Sequence, residues 1–211
     1  SSWSMRGWLA VKQSGEPFEE LVVPMFDDEW LERREGDEFA PGGGKVPILW
    51  DGECVVWDSL AIIEFLADRV GHDKYWPEAV DARAMARSMA AEMHSGFASL
   101  RRELPMNVRR SYAPQELSEN VRQDVDRILQ VWAQARARFG GTGDFLFGNW
   151  SAADIMFAPV VTRFITYGVP VPSFAAIYMK AVLSQPHVAE WIDQAQDEPW
   201  VIEAYESDGA Q

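Results

Sequence analysis

The chain of 211 residues is long enough to bury a core as one large domain or as two small ones. Its formal net charge of −14 at pH 7 argues against nucleic-acid binding and against attachment to anionic membranes, because both rely on basic surfaces. Cys54 is the single cysteine, so the sequence offers no intrachain disulfide and fits a reducing, cytoplasmic setting.

The sequence has no pattern typical of a metal site or a membrane span. His72, His94 and His187 are scattered and share no short ligand spacing. No apolar run reaches the roughly eighteen residues that a membrane helix needs, and no export signal is recognisable. We therefore expect a soluble protein that binds no metal and has no membrane partner.

The first third of the chain mixes helical and strand signals. Apolar residues recur at helical spacing from Met5, and Gly15 stops that pattern. Asp51-Gly52 between two apolar runs predicts a hairpin, since these residue types accept a positive φ. The predicted elements are, in chain order, a helix over 5–15, an edge strand over 18–23, a helix over 27–34, hairpin strands over 46–50 and 54–57, and a helix over 59–71 with Asp58 as its N-cap.

From about Pro77 onward the sequence carries only helical signals. A change from mixed elements to helices alone is typical of two domains. We place the boundary between residues 72 and 77, which gives domains of residues 1–75 and 76–211. The helices predicted in the second domain cover residues 80–102, 114–139, 151–165, 174–183 and 187–196.

This order of elements, with Val46-Pro47 opening the hairpin and Asp58-Ser59 following it, resembles the cytosolic glutathione transferase family over nearly the whole chain. The resemblance implies an α+β, thioredoxin-like N-terminal domain that binds glutathione. It also implies an all-α C-terminal helical bundle that completes the pocket for the second substrate. A strand precedes the first helix in that family, so we expect an opening strand in upstream residues.

The segment from Ser1 to Val11 is similar to serine-type, bacterial members of the family and, in its paired serines and Arg6, to the zeta class. Trp3 stands where the zeta class has Cys. The resemblance implies that the Ser1 hydroxyl is catalytic, and Ser2 is the neighbour that could replace it. The alternative is that these serines only cap a helix, where Ser is preferred in any case.

A hydroxyl at this position has a clear chemical purpose. The thiolate is the nucleophile, and a free thiol is mostly protonated at neutral pH. A hydroxyl that donates a hydrogen bond to sulfur stabilises the thiolate, and the N-terminus of a helix adds partial positive charge at the same point.

The resemblance assigns the rest of glutathione to two motifs. Val46-Pro47 matches the family's cis-proline, whose preceding residue pairs its backbone with the cysteinyl part. Lys45 either meets the glycyl carboxylate or is an exposed loop lysine. Asp58-Ser59 resembles the acidic-Ser pair that holds the γ-glutamyl end, and an ordinary N-cap followed by Ser is the alternative.

The predicted pocket for the electrophile comprises Trp3 and three residues of the long helix in the second domain, namely Met93, His94 and Phe97. Helical spacing also predicts a plain core stripe for these three residues.

Ser151 and Asp154 predict a capping box at the start of another helix, which concerns folding rather than chemistry.

We therefore expect a glutathione transferase. It would use glutathione as co-substrate, stabilise its thiolate and direct it at a small hydrophobic electrophile, as a homodimer with a role in detoxification. Glutathione-dependent isomerase or peroxidase chemistry is a narrower version of this hypothesis. The rival hypothesis is a noncatalytic interaction or dimerisation module, and a thiol-disulfide reductase would need a Cys near residue 1.

Overall fold

The first domain combines helices with a hairpin and the second is entirely helical, which confirms the expected fold class. The computed structural model describes residues 1–206. The elements are α1 (Ser2–Ser14), α2 (Asp28–Arg33), β1 (Ile48–Asp51), β2 (Cys54–Trp57), α3 (Ser59–Val70), α4 (Val80–Ser95), α5 (Ala98–Glu103), α6 (Glu119–Phe139), α7 (Ala152–Thr166), α8 (Ser173–Ser184) and α9 (Pro186–Asp197). No helix within residues 1–206 is long and apolar enough to cross a bilayer.

The hairpin packs one face against the core of the first domain. Strands β1 and β2 are antiparallel, with Leu49 opposite Val56, and both of these side chains pack on the buried cluster. Gly52 turns the chain with a φ of 59°, as the Asp-Gly signal predicts. Helices α1 and α3 pack against each other, and α3 also contacts β2. Helix α3 follows the hairpin directly, so its first residues lie at the end of β2.

A close contact fixes helix α1 against the start of the hairpin. The Val46-Pro47 peptide bond is cis, as expected, and the Pro47 ring lies against Gly7 of α1. A Cβ atom at Gly7 would lie 2.8 Å from Cγ of Pro47, a separation that real Cβ atoms essentially never show. Only glycine fits at this point of the helix.

The predicted edge strand over residues 18–23 is wrong. These residues form no strand, and Leu21 and Val22 are exposed. A strand requires the backbone groups of a neighbouring strand, and both strands within residues 1–206 are already paired with each other in a two-stranded sheet. The short apolar run was therefore not sufficient evidence for a strand.

The long helix predicted over residues 80–102 is two helices. Gly96 ends α4, and Phe97 has a φ of 55°, which an α-helix cannot contain. Helix α5 then restarts, and the Asp124 carboxylate of α6 accepts a hydrogen bond from the Leu100 amide at 2.9 Å. Helix α6 itself begins at Glu119, capped by Ser118, rather than at residue 114. From α5, the Arg101 side chain reaches the Trp3 ring at the N-terminal end of α1.

Helix α7 forms the centre of the second domain. All of its residues except Ile165 are buried, and it contacts α1, α4 and α8. A helix that is apolar on all sides is expected in the interior of a domain. The predicted capping box is confirmed, because the Ser151 amide and hydroxyl both donate to the Asp154 carboxylate at 2.9 Å. Asp154 also accepts a hydrogen bond from the Leu146 amide at 3.1 Å.

Candidate functional site

The N-terminal end of α1 carries two serine hydroxyls that can still donate a proton. Ser1 is the N-cap, and its Oγ accepts a hydrogen bond from the Ser4 amide at 3.3 Å. The Ser2 Oγ accepts one from Nη2 of Arg163 at 3.3 Å. Each hydroxyl acts as an acceptor in these contacts, so its own hydrogen is available to a further acceptor. Both the capping interpretation and the catalytic one are compatible with this geometry.

The cis-Val46-Pro47 segment lies beside α1 through the contact between Pro47 and Gly7. The hairpin ladder begins at Ile48, so Val46 lies outside it, and its backbone groups form no hydrogen bond with the rest of residues 1–206. Lys45 is exposed and forms no ion pair with any described carboxylate. An extended peptide could therefore pair with the backbone at Val46.

Asp58 and Ser59 form the N-terminal end of α3. Asp58 has a φ of 69°, and its Oδ1 accepts a hydrogen bond from the Leu60 amide at 2.8 Å. Its Oδ2 lies 2.7 Å from Nε2 of His94. Ser59 is 1% exposed, and its hydroxyl has no hydrogen-bond partner in the described part of the chain. A buried hydroxyl without a partner is costly, so this atom marks a position where a ligand could bind.

Trp3 and His94 connect the N-terminal ends of α1 and α3. Their ring centroids lie 5.3 Å apart, and His94 also contacts Asp58 as described above. The structure thus brings Trp3, His94 and Asp58 together from α1, α4 and the start of α3. Met93 and Phe97 lie in the hydrophobic core, with 0% and 7% of their surface exposed. Among the residues predicted to line the electrophile pocket, Trp3 and His94 are therefore the two beside this site.

Three arginines surround the same end of α1, and only Arg6 among them belongs to a motif recognised in the sequence. Nε of Arg6 donates to the Met156 carbonyl at 2.9 Å and its Nη1 donates to the Ser2 carbonyl at 3.1 Å. The Arg6 guanidinium lies 4.5 Å from the centre of the Trp3 ring, and that of Arg101 lies 5.3 Å from it. Both distances are within the range of cation–π contacts.

Arg163 of α7 completes this group of arginines. Besides its bond to Ser2, it donates from Nε to the Leu104 carbonyl at 2.9 Å. Burial, with Arg101 as the next cause, lowers the pKa of Arg163 to about 10. Burial also holds the pKa of Arg6 well below its usual value, and the nearby charges of Arg163 and Arg101 add to this effect. Arg6 and Arg163 nevertheless remain charged near neutral pH.

Two other features lie apart from this site. A cavity of about 430 Å³ between α7 and α9 is lined by Ile165, Leu183 and Ile192, among others, and by none of the predicted site residues. No group of three or more His, Cys, Asp or Glu residues that could hold a metal ion occurs within the described range. The N-terminal ends of α1 and α3 are therefore the place where the predicted chemistry can be assembled.

Comparison with protein families matches both domains. The family model for the glutathione S-transferase N-terminal domain matches residues 1–69, and the one for the glutathione S-transferase C-terminal domain matches residues 115–194. Together they cover more than half of the chain. No curated protein matches the chain by sequence.

Solved structures of several organisms share the fold. A glutathione transferase homolog from Burkholderia gl BGR1 with bound glutathione is 22% identical over 94% of each chain, with a TM-score of 0.69. A theta class glutathione S-transferase from Xanthomonas axonopodis pv. citri with bound glutathione is 20% identical over 91% of this chain and 92% of that one, with a TM-score of 0.65. A maleylacetoacetate isomerase from Methylobacterium extorquens AM1 with bound malonate and glutathione is 23% identical over 90% and 91%, with a TM-score of 0.62.

Proposed function

The chain belongs to the glutathione S-transferase family, and we propose that it binds glutathione across the N-terminal ends of α1 and α3 and catalyses the attack of its thiolate on an electrophile. The observation that carries this proposal is the buried, unpartnered Ser59 hydroxyl at the start of α3, beside the exposed carboxylate edge of Asp58. The Burkholderia and Xanthomonas structures contain glutathione, which supports the choice of co-substrate.

The γ-glutamyl end of glutathione binds at α3 in this proposal. The first amides of a helix have no partner within it and carry partial positive charge, so they favour a carboxylate. The Ser59 hydroxyl adds a donor for the same group. The Oδ2 atom of Asp58, which now contacts His94, accepts the α-ammonium.

The peptide part of glutathione continues along the hairpin. The amide and carbonyl of Val46 pair with the cysteinyl residue, as one strand edge pairs with another. Pro47 sets the direction of this backbone against α1. Lys45 is free to reach the glycyl carboxylate, because it forms no ion pair within residues 1–206.

The cysteinyl sulfur then lies at the N-terminal end of α1. Ser1 donates a hydrogen bond to it, with Ser2 as the alternative donor. Ser2 accepts from the charged Arg163, and such a contact strengthens a hydroxyl as a donor to the next acceptor. The bound thiol releases its proton to solvent, and the thiolate attacks an electrophilic carbon to form a carbon–sulfur bond. Either a leaving group departs with the electron pair of the broken bond, or the displaced π pair stays on the substrate and takes a proton from solvent. Trp3 and His94 line the side from which the electrophile approaches.

We further propose that the protein is a cytoplasmic homodimer that acts in detoxification. Trp50 and Trp57 lie on the same outer face of the hairpin and are both 51% exposed, so the first domain presents apolar surface to a second copy. A reducing compartment keeps glutathione as the thiol that the reaction consumes. Sedimentation of wild-type protein and of Trp57→Arg tests the dimer, which we expect the substitution to weaken.

The proposed function is tested by calorimetric titration with glutathione. Asp58→Asn keeps the helix-capping oxygen but removes the charge, and Asn accepts a positive φ much as Asp does. We expect it to weaken binding by about tenfold, the effect of losing one charge-assisted contact. Asp68→Asn is the matched control, because Asp68 also pairs with a histidine, His72 at 2.9 Å, but elsewhere on α3.

Two results of this titration would contradict the proposal. Equal affinity for wild type, Asp58→Asn and Asp68→Asn would show that the γ-glutamyl end binds elsewhere. If wild type does not bind glutathione even at millimolar concentration, the noncatalytic interaction module becomes the better hypothesis.

A further inference from the structure

The arginines at the end of α1 retain donors that nothing in the described chain uses. Arg6 is 0% exposed, and its Nη2 has no hydrogen-bond partner among residues 1–206. The Nε of Arg101 is also buried and has no partner in that range. Both guanidinium groups face the Trp3 ring, but a cation–π contact engages the ring face and leaves the N–H edges unsatisfied. Two buried cationic donors beside the Trp3 ring therefore have no acceptor within residues 1–206.

The charge around these donors is not balanced by the protein. None of Arg6, Arg101 and Arg163 forms an ion pair with a described carboxylate. Asp58 acts on Arg6 at longer range, but its two oxygens are already in contact with the Leu60 amide and His94.

Composition does not explain this imbalance. The chain has 33 acidic residues against 19 Lys and Arg. Elsewhere, exposed arginines pair readily, as Arg127 does with Glu92 and Arg102 does with Glu103. Eight arginines form ion pairs elsewhere in residues 1–206, whereas the three arginines grouped at the end of α1 form none.

Such an arrangement favours a bound anion. A buried cation without a partner costs free energy, and a planar guanidinium presents parallel N–H groups that match a carboxylate. Arg6 and Arg163 are held in place by backbone carbonyls, so their orientation is set before any ligand arrives. Arg101 is half-buried, and it extends from α5 to the Trp3 ring of α1. It is the member of the group that a ligand reaches from solvent.

We propose that Arg101, supported by Arg6 and Arg163, binds a carboxylate carried by the electrophile itself, so that the second substrate is a small anionic electrophile. This inference rests on the proposed function, because glutathione's own two carboxylates are there assigned to Ser59 and Lys45. The Ser2 hydroxyl, bonded to Arg163, lies at the end of α1 where the sulfur binds. A carboxylate at the arginines thus places the carbon next to it within reach of the thiolate.

The chemistry needs no further reactant. The thiolate forms a carbon–sulfur bond to the carbon beside or conjugated with the carboxylate. A leaving group departs with the electron pair of the broken bond, or the pair remains on the substrate and takes a proton from solvent. The carboxylate is unchanged, and nothing is oxidised or reduced.

Two glutathione conjugates of the same shape test this subsite by calorimetry. S-carboxymethylglutathione carries a carboxylate on the carbon attached to sulfur, and S-carbamidomethylglutathione carries the neutral amide there. We expect wild type to bind the carboxymethyl conjugate about tenfold tighter or more, the factor that one charge-assisted hydrogen bond provides. Preformed conjugates are used because Cys54 is exposed and would react with alkylating reagents.

Substitutions of arginines then test which residue causes the preference for the carboxymethyl conjugate. In Arg101→Gln we expect most of the difference between the two conjugates to disappear, while Arg101→Lys, which keeps the charge but not the planar fork, retains part of it. Arg102→Gln is the matched control, since Arg102 is the next residue in the chain, its side chain is 69% exposed and it pairs with Glu103. This control should bind both conjugates as wild type does.

The outcomes separate this inference from the proposed function. If wild type binds both conjugates equally well, the carboxylate subsite is wrong and the proposed function stands. If wild type binds neither conjugate nor glutathione, the proposed function is wrong. If Arg101→Gln weakens both conjugates and glutathione by the same factor, Arg101 binds glutathione's own carboxylate and the inference is overturned.

Discussion

The N-terminal ends of α7 and α1 both bury charged groups, but they complete their hydrogen bonding differently. At α7, the buried Asp154 carboxylate accepts from the amide and hydroxyl of Ser151 and from the Leu146 amide. At α1, the buried Arg6 and its neighbour Arg101 keep donors without partners in residues 1–206. A polar group that the protein satisfies by itself serves folding, whereas one left incomplete points to a ligand. Substitutions at the first should change stability, and those at the second should change chemistry.

The largest effect is expected for Asp154→Ala. Two buried amides lose their acceptor, and each unsatisfied group costs about 1–3 kcal/mol. We therefore expect the free energy of unfolding to fall by roughly 3 kcal/mol or more, measured by urea denaturation. Asp126→Ala, at an exposed position of α6, is the control and should be close to neutral. If the Asp154→Ala protein has unchanged stability but binds glutathione less well, the start of α7 serves ligand binding rather than folding.

The next effect concerns the thiol of bound glutathione. Removing the hydroxyl that donates to sulfur should raise its pKa by about one to two units, because such a bond contributes roughly 1.5–3 kcal/mol. The thiolate fraction below that pKa then falls about ten- to a hundredfold. Thiolate absorbance against pH for Ser1→Ala and Ser2→Ala measures the shift, and Ser4→Ala is the control.

These curves also decide between the two serines. A shift in Ser2→Ala alone would transfer the role to Ser2. If neither variant shifts, the hydroxyls only cap α1 and the helix terminus with its arginines must stabilise the thiolate.

A smaller effect is expected for Ser151→Ala, which removes the cap of α7 but leaves the Asp154 acceptor in place. The loss of a capping side chain costs roughly 0.5–2 kcal/mol. The melting midpoint should fall while glutathione affinity stays the same. An unchanged midpoint would mean that Asp154 stabilises the start of α7 without the Ser151 hydroxyl.

The smallest effect is a pH dependence of stability. Burial raises the pKa of Asp154 to about 6, above the value of about 3.9 for an unfolded Asp. Between these values the folded state holds a proton that the unfolded state has lost, so stability rises as pH falls. From pH 7 to pH 5, wild type should gain about 1 kcal/mol relative to Asp154→Asn in urea denaturation. A constant difference between the two proteins would show that the carboxylate stays ionised when buried.

Elements specified by local signals were predicted from the sequence. Asp58 and Gly71 bound the predicted helix over 59–71, and α3 covers residues 59–70. The capping box of Ser151 was also predicted from its neighbours in the chain, and the cis-Val46-Pro47 bond was expected from the resemblance to the family. Features that depend on distant residues were not. The run over 18–23 looked like a strand because a sequence cannot show whether a partner strand lies beside it.

The candidate site depends on both kinds of feature. Asp58 was predicted as a helix N-cap, and the resemblance implied its role with Ser59 in the site, but the contact of Asp58 with His94 joins residues 36 positions apart. Arg101 was not predicted, because an arginine on a helix usually lies in solvent, whereas here its guanidinium lies 5.3 Å from the centre of the Trp3 ring of α1. Arg163 did leave a signal, since it is the one charged residue between Asp154 and the end of the buried helix α7.

The contact between Gly7 and the Pro47 ring limits how closely the two parts of the proposed glutathione site can approach each other. The contact acts by steric exclusion, because two apolar surfaces meet at van der Waals distance. Neither Gly7 nor the Pro47 ring carries a group that can titrate or attract ions. Helix α1 cannot slide or roll toward the hairpin without overlap. The spacing between the serine end of α1 and the backbone at Val46 is thus held by excluded volume, and this spacing should stay the same across the salt and pH conditions that alter every charged contact around it.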